Sequence, residues 1–190
     1  MTMPDLFRNR YRIDSVRLKN WDYSTPGAYF ITICTKNRER VFGRVKRGEM
    51  ILSEIGKIAD SHWREIPNHF PSVHLDEFQM MPDHLHGIVI IEPNNSVFVV
   101  ETPESGVSTT TIPRITTKTV TNRNWNPGSL GVIVNQYKRI CTIQIRKHGY
   151  VFEWQSRFHD HIIRNDAELN RIRKYIRYNP VHWHNDGHFD

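Results

Sequence analysis

Two strand patterns that meet at a tight turn constrain the fold of this chain more than any other stretch. Residues 73–81 (VHLDEFQMM) and 84–92 (HLHGIVIIE) both have the composition of strands, and a Pro-Asp pair stands between them. Strands joined by so short a turn pair as an antiparallel hairpin. Because successive side chains of a strand point to opposite faces, His84 and His86 share one face of the predicted sheet and Leu85 points to the other.

The remaining periodic segments complete one antiparallel sheet with helices packed against it. Strands are predicted at residues 27–35 and 158–164, and helices at residues 53–66, 129–147 and 165–179. The last helix is expected to stop at residue 179, because Pro180 disfavours the helical conformation in the residue before it. The order strand, helix, strand, strand, helix, strand, helix predicts an α+β fold, ferredoxin-like or RRM-like: an antiparallel sheet with helices on one face plus an extra C-terminal helix. The other face of the sheet is then free to hold a site.

Composition and charge bound the classes of protein to which the chain can belong. Its 190 residues predict a single domain (1–190), with a basic N-terminal segment (1–27) and a Thr/Ser-rich flexible insertion at about residues 93–127. The formal net charge of +6 indicates a modest preference for polyanions such as nucleic acid. The sequence shows neither a membrane-length apolar stretch nor the apolar core of a signal peptide, so we expect a cytoplasmic location and no membrane partner.

The last predicted helix brings a tyrosine and an amide to one edge of its apolar stripe. Tyr175 and Asn179 are i and i+4, so their side chains stack on the same edge of the helix. They can converge on one point, or they can be an ordinary edge residue and a helix-end residue before proline. The pair His84 and His86 leaves a similar choice, between two imidazoles that converge on one metal ion and two unrelated polar residues. Spacing alone does not decide either case.

Four segments together resemble a known family. MPDHLHGIVII resembles the histidine–hydrophobe–histidine (HUH) signature of single-tyrosine transposases. WDYSTPGAYFITICT, WQSRFHDHIIRNDAEL and RKYIRYNP resemble the corresponding segments of the REP-associated tyrosine transposases, which are bacterial relatives of insertion-sequence transposases. The resemblance extends from about residue 17 to residue 183 and is interrupted by the insertion. It implies a metal-dependent endonuclease and strand transferase that acts on single-stranded DNA, often near hairpins.

The resemblance also implies roles for individual residues. By position, His84 and His86 are the metal ligands, Tyr175 is the nucleophile, and Asn179 completes the metal site. The implied cofactor is a divalent metal, Mg or Mn, although imidazole ligands suit zinc or manganese better than magnesium. Attack by the tyrosine on phosphorus would leave a 5′-phosphotyrosine and release a 3′ hydroxyl. Asp83 stands where the family more often has asparagine, and we expect this difference to have little effect.

A second tyrosine competes for the role of nucleophile. Tyr137 lies on the preceding predicted helix, and other branches of the HUH superfamily place the nucleophile on a helix that follows the histidine strand. Its alternative role is that of a core residue on an apolar stripe. We prefer Tyr175.

DNA contacts are predicted from basic and aromatic residues. The predicted phosphate and sheet-surface contacts are Arg8, Arg10, Arg12, Arg17, Lys19, Lys36, Arg38, Arg40, Arg44, Gln155, Arg157, Arg171 and Lys174. The residues predicted to stack on unpaired bases are Trp21, Tyr23, Tyr29 and Trp125. His159 and His161 share strand alternation, which allows a second metal site, but we prefer sheet and DNA-contacting roles for them.

Two other functions are compatible with the same pattern. One is a catalytically inactive RRM-like module that binds DNA or RNA hairpins, and the other is a zinc-dependent hydrolase that uses water as its nucleophile. The intact set of two histidines, tyrosine and asparagine favours the enzyme over the binding module. The resemblance favours a monomer, with a homodimer as the alternative.

Overall fold

The computed structural model describes residues 22–93 and 128–183 of the chain. Predictions that concern the basic N-terminal segment before residue 22, and those on the insertion after residue 93, lie outside the described residues. They include the contacts assigned to Arg8, Arg10, Arg12, Arg17, Lys19, Trp21 and Trp125.

The described residues form six strands and four helices. In chain order they are β1 (Gly27–Cys34), β2 (Gly43–Lys46), β3 (Glu49–Leu52), α1 (Glu54–Arg64), α2 (Ile66–His69), β4 (Val73–Met80), β5 (His84–Ile91), α3 (Leu130–Lys147), β6 (His159–Ile163) and α4 (Asp166–His182), with a short 3-10 turn at Lys36–Arg38. Ser53 caps α1 by accepting a hydrogen bond from the Gly56 amide, as its position before a helical pattern predicts.

The main sheet has four strands in the order β4-β5-β1-β6, and every neighbouring pair is antiparallel. The hairpin β4–β5 predicted from the sequence is present, and the crossovers through α1 and α3 place β1 in the middle and β6 at an edge. This confirms the predicted ferredoxin-like arrangement. The basic stretch after β1 adds a separate hairpin, β2–β3, whose turn has left-handed backbone at Arg47 and Gly48.

The larger core lies between one face of the sheet and the helices α1 and α3. Alternate residues of β1 and β5 point into it and are fully buried, among them Ile31 and Leu85. Gly87 on β5 is required here, because a Cβ at this position would come within 2.5 Å of the Trp63 ring on α1. Tyr29 also lies in this core with 0 % of its surface exposed, and its hydroxyl donates to the Thr25 carbonyl at 2.6 Å. The prediction that Tyr29 stacks on bases is therefore wrong.

The extra C-terminal helix covers the opposite face of the sheet. Four isoleucines form the apolar contact between α4 and the sheet: Ile88, Ile163, Ile172 and Ile176. The helix does not stop before Pro180 as predicted but continues to His182. Pro180 cannot donate a backbone hydrogen bond, but it lies in the last turn of the helix, and its burial against the protein offsets that loss.

Within the parts of the chain that the structure describes, no helix combines the length and the apolar composition needed to cross a membrane.

Candidate functional site

The sheet places both histidines on the face that α4 covers. His84 stands opposite Cys34 on β1, and His86 stands opposite Thr32. Leu85, between them, points into the core on the other face. Both imidazoles are buried, and their Nε2 atoms are 2.9 Å apart. The alternation predicted from the sequence thus produces two ring nitrogens directed at one point.

Each imidazole is oriented through its other ring nitrogen. Nδ1 of His84 is 2.5 Å from Oδ1 of Asp83, and Nδ1 of His86 is 2.8 Å from the Thr32 hydroxyl. Partners of this kind hold a metal-binding imidazole in one tautomer and orientation. Neither contact was foreseen from the sequence. Only the pairing register between β1 and β5 brings Thr32 beside His86.

Asp83 connects the histidines to a basic residue. Its Oδ2 lies 3.1 Å from Nε of Arg38, and the aspartate side chain is 4 % exposed. Arg38 has a left-handed backbone, with φ 60°, which is uncommon for a residue other than glycine. Asp83 contacts His84 directly. This geometry therefore does not support the expectation that aspartate in place of asparagine has little effect.

The helix α4 brings the predicted tyrosine to the histidines. The Tyr175 hydroxyl lies 3.3 Å from Nε2 of His86, and the two ring centroids are 5.2 Å apart. The tyrosine is 50 % exposed, so its hydroxyl stands at the boundary between the site and solvent. Phe30 of β1 packs against both rings: its centroid is 5.4 Å from that of His86 and 6.1 Å from that of Tyr175.

Asn179, one turn after Tyr175, is buried with its acceptor oxygen unsatisfied. The residue is 4 % exposed, and its Oδ1 accepts no hydrogen bond from any residue that the structure describes. A buried carbonyl oxygen without a donor is uncommon, and a bound ion is one explanation for it. The sequence predicted that Asn179 and Tyr175 share an edge of the helix, but not that Asn179 would be buried while Tyr175 stays half exposed.

These residues fit a divalent metal ion. Two imidazole nitrogens and one amide oxygen form a mixed nitrogen and oxygen donor set, which suits manganese better than magnesium. Among residues 22–93 and 128–183, no group of three or more His, Cys, Asp and Glu side chains forms a metal site. An ion held here would therefore depend on Asn179 and on ligands from outside the protein. The second metal site considered at His159 and His161 has no such group either, and His161 instead contacts Glu168 at 2.8 Å.

The electrostatic environment keeps His86 neutral. Burial, reinforced by the nearby His84 and Arg38, holds the pKa of His86 well below its usual value of 6.5. At neutral pH the ring thus retains the lone pair that a metal ligand needs.

The competing tyrosine lies on the other side of the sheet. Tyr137 is buried in the core between α1 and α3, where its ring meets Trp63 edge-on with centroids 5.2 Å apart. Its hydroxyl donates to the Ala59 carbonyl at 3.1 Å, and burial raises the pKa of Tyr137 well above its usual value. This placement matches the alternative role of a core residue and favours Tyr175 as the nucleophile.

The basic residues predicted to contact DNA divide into two groups. Those around the 3-10 turn each have a partner: Lys36 pairs with Glu153, Arg38 with Asp83, and the Arg40 guanidinium lies 5.8 Å from the ring centroid of Trp183. Trp183 in turn lies 5.8 Å from the His84 ring and was missed by the sequence analysis. The second group is exposed on β2, on the segment before β6 and on α4: Arg44, Gln155, Arg157, Arg171 and Lys174.

Tyr23, the one predicted stacking residue that is described and not fully buried, packs partly against the core. Its ring centroid is 6.0 Å from that of Tyr29.

His159 is exposed on β6 opposite Thr32 of β1, and His86 stands opposite the same threonine on β5. His159 therefore lies on the same face of the sheet as His86, with β1 between them.

Comparison with known proteins identifies the fold. No family model matches the chain. The structure of a REP-associated tyrosine transposase bound to a REP hairpin aligns with a TM-score of 0.55 and 16 % sequence identity, over 87 % of this chain and 73 % of that one. A putative transposase from Deinococcus radiodurans aligns with a TM-score of 0.39 and 13 % identity, over 85 % of this chain and 95 % of that one. The first of these alignments shows that the chain has the fold of a REP-associated tyrosine transposase, which confirms the resemblance at the level of the fold.

Sequence comparison adds a relative. An uncharacterized protein of Haemophilus influenzae is 35 % identical over 181 residues, which cover 90 % of each chain. The chain belongs to the same family as that protein.

Proposed function

We propose that this chain is a transposase: a metal-dependent endonuclease and strand transferase for single-stranded DNA, with Tyr175 as its nucleophile. The observation that carries the proposal is the position of the Tyr175 hydroxyl, 3.3 Å from Nε2 of His86, which itself is 2.9 Å from Nε2 of His84. A phenol from α4 and two imidazoles from β5 thereby come together from two distant parts of the sequence, and a buried amide oxygen lies one helical turn after the phenol. A module that only binds nucleic acid has no need of this convergence.

His84, His86 and Asn179 would hold the divalent ion, Mg or Mn. When bound, such an ion supplies a positive charge that would withdraw electron density from the scissile phosphate and fix the orientation of that phosphate. Asp83 and Thr32 hold the two imidazoles in place before the substrate arrives, so little reorganisation is needed during the reaction.

Tyr175 would form the covalent intermediate. Its oxygen bonds to phosphorus while the bond between phosphorus and the 3′ oxygen breaks, which leaves a 5′-phosphotyrosine and a free 3′ hydroxyl. The phenol loses its proton and the departing 3′ oxygen gains one. Because the phosphotyrosine conserves the energy of the phosphodiester, a 3′ hydroxyl from a second strand can reverse the step and join new ends.

The exposed basic residues on the same side of the molecule would bind the DNA backbone. Arg171 and Lys174 are exposed on α4, in the turn that precedes Tyr175. The solved transposase of the same fold is bound to a REP hairpin, so we propose hairpin-bearing single-stranded DNA as the substrate class here. The histidines, the tyrosine and the asparagine all come from one chain, which supports activity as a monomer.

The decisive test is the formation of a covalent adduct. The protein is incubated with Mn²⁺ and a labelled single-stranded oligonucleotide that contains a hairpin, and a protein–DNA band that survives denaturation is sought. The Tyr175→Phe variant should abolish the band. Tyr178→Phe is the matched control, because Tyr178 is an exposed tyrosine on the same helix and should leave the band unchanged.

The other hypotheses predict different bands. Loss of the adduct in Tyr137→Phe but not in Tyr175→Phe would reject the assignment of the nucleophile. Binding of the oligonucleotide without cleavage would indicate an inactive binding module, and cleavage without an adduct would indicate a hydrolase that uses water. Either result would overturn the proposed mechanism.

A further inference from the structure

The strand β4 contains a bulge that directs two carboxylates to the same face of the sheet. Leu75 pairs with Val89 of β5 and Phe78 pairs with Gly87, so Asp76 and Glu77 together stand opposite a single residue, Ile88. In a regular strand, two adjacent side chains point to opposite faces, and one of these carboxylates would enter the core. The extra residue of a bulge changes this alternation and re-aims side chains.

The face to which the bulge directs them is the one that α4 covers. Asp76 accepts two hydrogen bonds from Arg173, with Nε to Oδ1 at 2.7 Å and Nη2 to Oδ2 at 2.5 Å. Glu77 accepts one from Nη2 of Arg177 at 2.6 Å. The two arginines are one helical turn apart, so the two ion pairs form a row along one side of α4.

These ion pairs supply directional contacts between α4 and the sheet. The apolar contact has four buried isoleucines at its centre, with Phe30 and Leu169 among the partly buried residues around them. Apolar burial is non-directional, so this contact tolerates rotation or a shift of the helix. A guanidinium with two parallel hydrogen bonds to a carboxylate fixes geometry as well as contributing energy. Tyr175 lies midway in the sequence between Arg173 and Arg177, and Asn179 follows two residues after Arg177.

We propose that Asp76 and Glu77 are positioning residues that set the rotation and register of α4, and thereby place the Tyr175 hydroxyl at His86. Their catalytic effect rests on the function proposed above, but their effect on α4 does not. The paired side chains are partly exposed, and ion pairs of this kind contribute little to overall stability. Their removal should therefore change the position of the helix more than the stability of the fold.

The test uses the double variant Asp76→Asn with Glu77→Gln, which keeps the size of both side chains. Hydrogen exchange of backbone amides is measured in the absence of DNA and metal. Exchange in α4 should become several-fold faster, whereas exchange in α1 and α3 should not change. The matched control is Asp60→Asn, because Asp60 forms an ion pair of similar length with Arg64 on α1, with Nε to Oδ2 at 2.8 Å. This variant should leave α4 unaffected.

The rate of adduct formation is measured on the same proteins. Displacement of a nucleophile by about 1 Å can cost on the order of 100-fold in rate, so the double variant should lose a factor of this order while its thermal midpoint stays close to that of the wild type. An exchanged pair, Asp76→Arg with Arg173→Glu, should recover part of the rate that Asp76→Arg alone loses. A role in overall stability alone would instead lower the thermal midpoint of the double variant together with its rate.

The outcomes separate this inference from the proposed function. Unchanged exchange in α4 of the double variant would overturn the positioning role, whatever the activity. An exchanged pair that is no faster than Asp76→Arg alone would overturn it too. If exchange in α4 rises as expected but the wild type forms no adduct, the proposed function fails and the role of the two carboxylates in placing α4 stands.

Discussion

At the scale of single residues, the candidate site depends on what the two histidines themselves contact. Asp83 bonds to His84 on one side and to Arg38 on the other, and its backbone carbonyl accepts hydrogen bonds from both the amide and the hydroxyl of Thr35. The carboxylate therefore connects the start of β5 to the basic turn after β1. The sequence marked this position as different from the family but gave no reason to expect an effect.

Replacement of Asp83 by asparagine should weaken metal binding. The neutral amide is a poorer partner for Nδ1 of His84, so the ring is held less firmly, and loss of such a partner costs about 10- to 100-fold in metal affinity. Titration of the metal-free protein with Mn²⁺ by calorimetry measures the change. The hydrogen bonds from Thr35 to the backbone remain in the variant, so the fold should be retained. Equal affinities would show that Asp83 does not support His84.

Replacement of Asn179 by leucine should separate metal binding from stability. The buried Oδ1 accepts no hydrogen bond from the described residues, and an unsatisfied buried polar group costs about 1–3 kcal/mol. Without metal, the variant should therefore unfold at a temperature no lower than the wild type. Added Mn²⁺ should raise the unfolding temperature of the wild type but not of the variant. A clear loss of stability in the metal-free variant would mean that the amide has a structural role.

At the scale of elements, α4 decides whether the site exists. It adds the tyrosine and the asparagine to the sheet face that carries the histidines and their partners. The apolar cluster between α4 and the sheet is smaller than the main core. The ion pairs between α4 and β4 supply the directional part of this contact. The hydrogen bonds from Arg173 hold the pKa of Asp76 below its ordinary value of 3.8.

The contribution of Asp76 to stability should disappear in acid. A carboxylate with a lowered pKa in the folded state stabilises the fold fully above its unfolded pKa, and this contribution is lost as the pH falls through the folded value. Wild type and Asp76→Asn should therefore show a small difference in urea stability at neutral pH, and this difference should vanish as the pH falls below 3.8. The measurement is urea unfolding at a series of pH values. A difference that persists unchanged in strong acid would contradict the ion pair.

At the scale of the whole molecule, the sheet separates the described residues into two layers, one on each of its faces. The layer of α1 and α3 contains the larger core, which includes Tyr137, and the layer of α4 contains the site. Basic side chains on the outer surface of α4 then border the exposed edge of Tyr175. This arrangement predicts that the two layers contribute unequally to DNA binding.

Removal of two charges from the site layer should weaken DNA binding and its dependence on salt. In the variant Arg171→Gln with Lys174→Gln, each lost phosphate contact should reduce the slope of log affinity against log salt by about 0.7 for a single strand. Binding is measured by fluorescence anisotropy across a range of salt concentrations. Arg64→Gln removes a charge from α1 in the other layer and serves as the control. An equal effect in the control would show that general charge, rather than the surface of α4, binds the DNA.

Part of the fold and site follows from the sequence because it depends on local periodicity. Alternation along a strand places His84 and His86 on one face, and the helical repeat places Tyr175 beside Asn179. The antiparallel hairpin follows from the shortness of the Pro-Asp turn. The end of α4 was wrongly predicted, because the local penalty of Pro180 is offset by burial that a sequence pattern does not show.

What the sequence determined by itself is therefore which side chains share a strand face or a helix edge, since backbone geometry sets those relations within a few residues. Tertiary structure alone decided that α4 covers the histidine face, that Tyr137 lies beyond the sheet, and that a bulge in β4 pairs Asp76 with Arg173. These relations join residues far apart in the chain. They depend on which apolar surfaces pack together, and no local repeat encodes that choice.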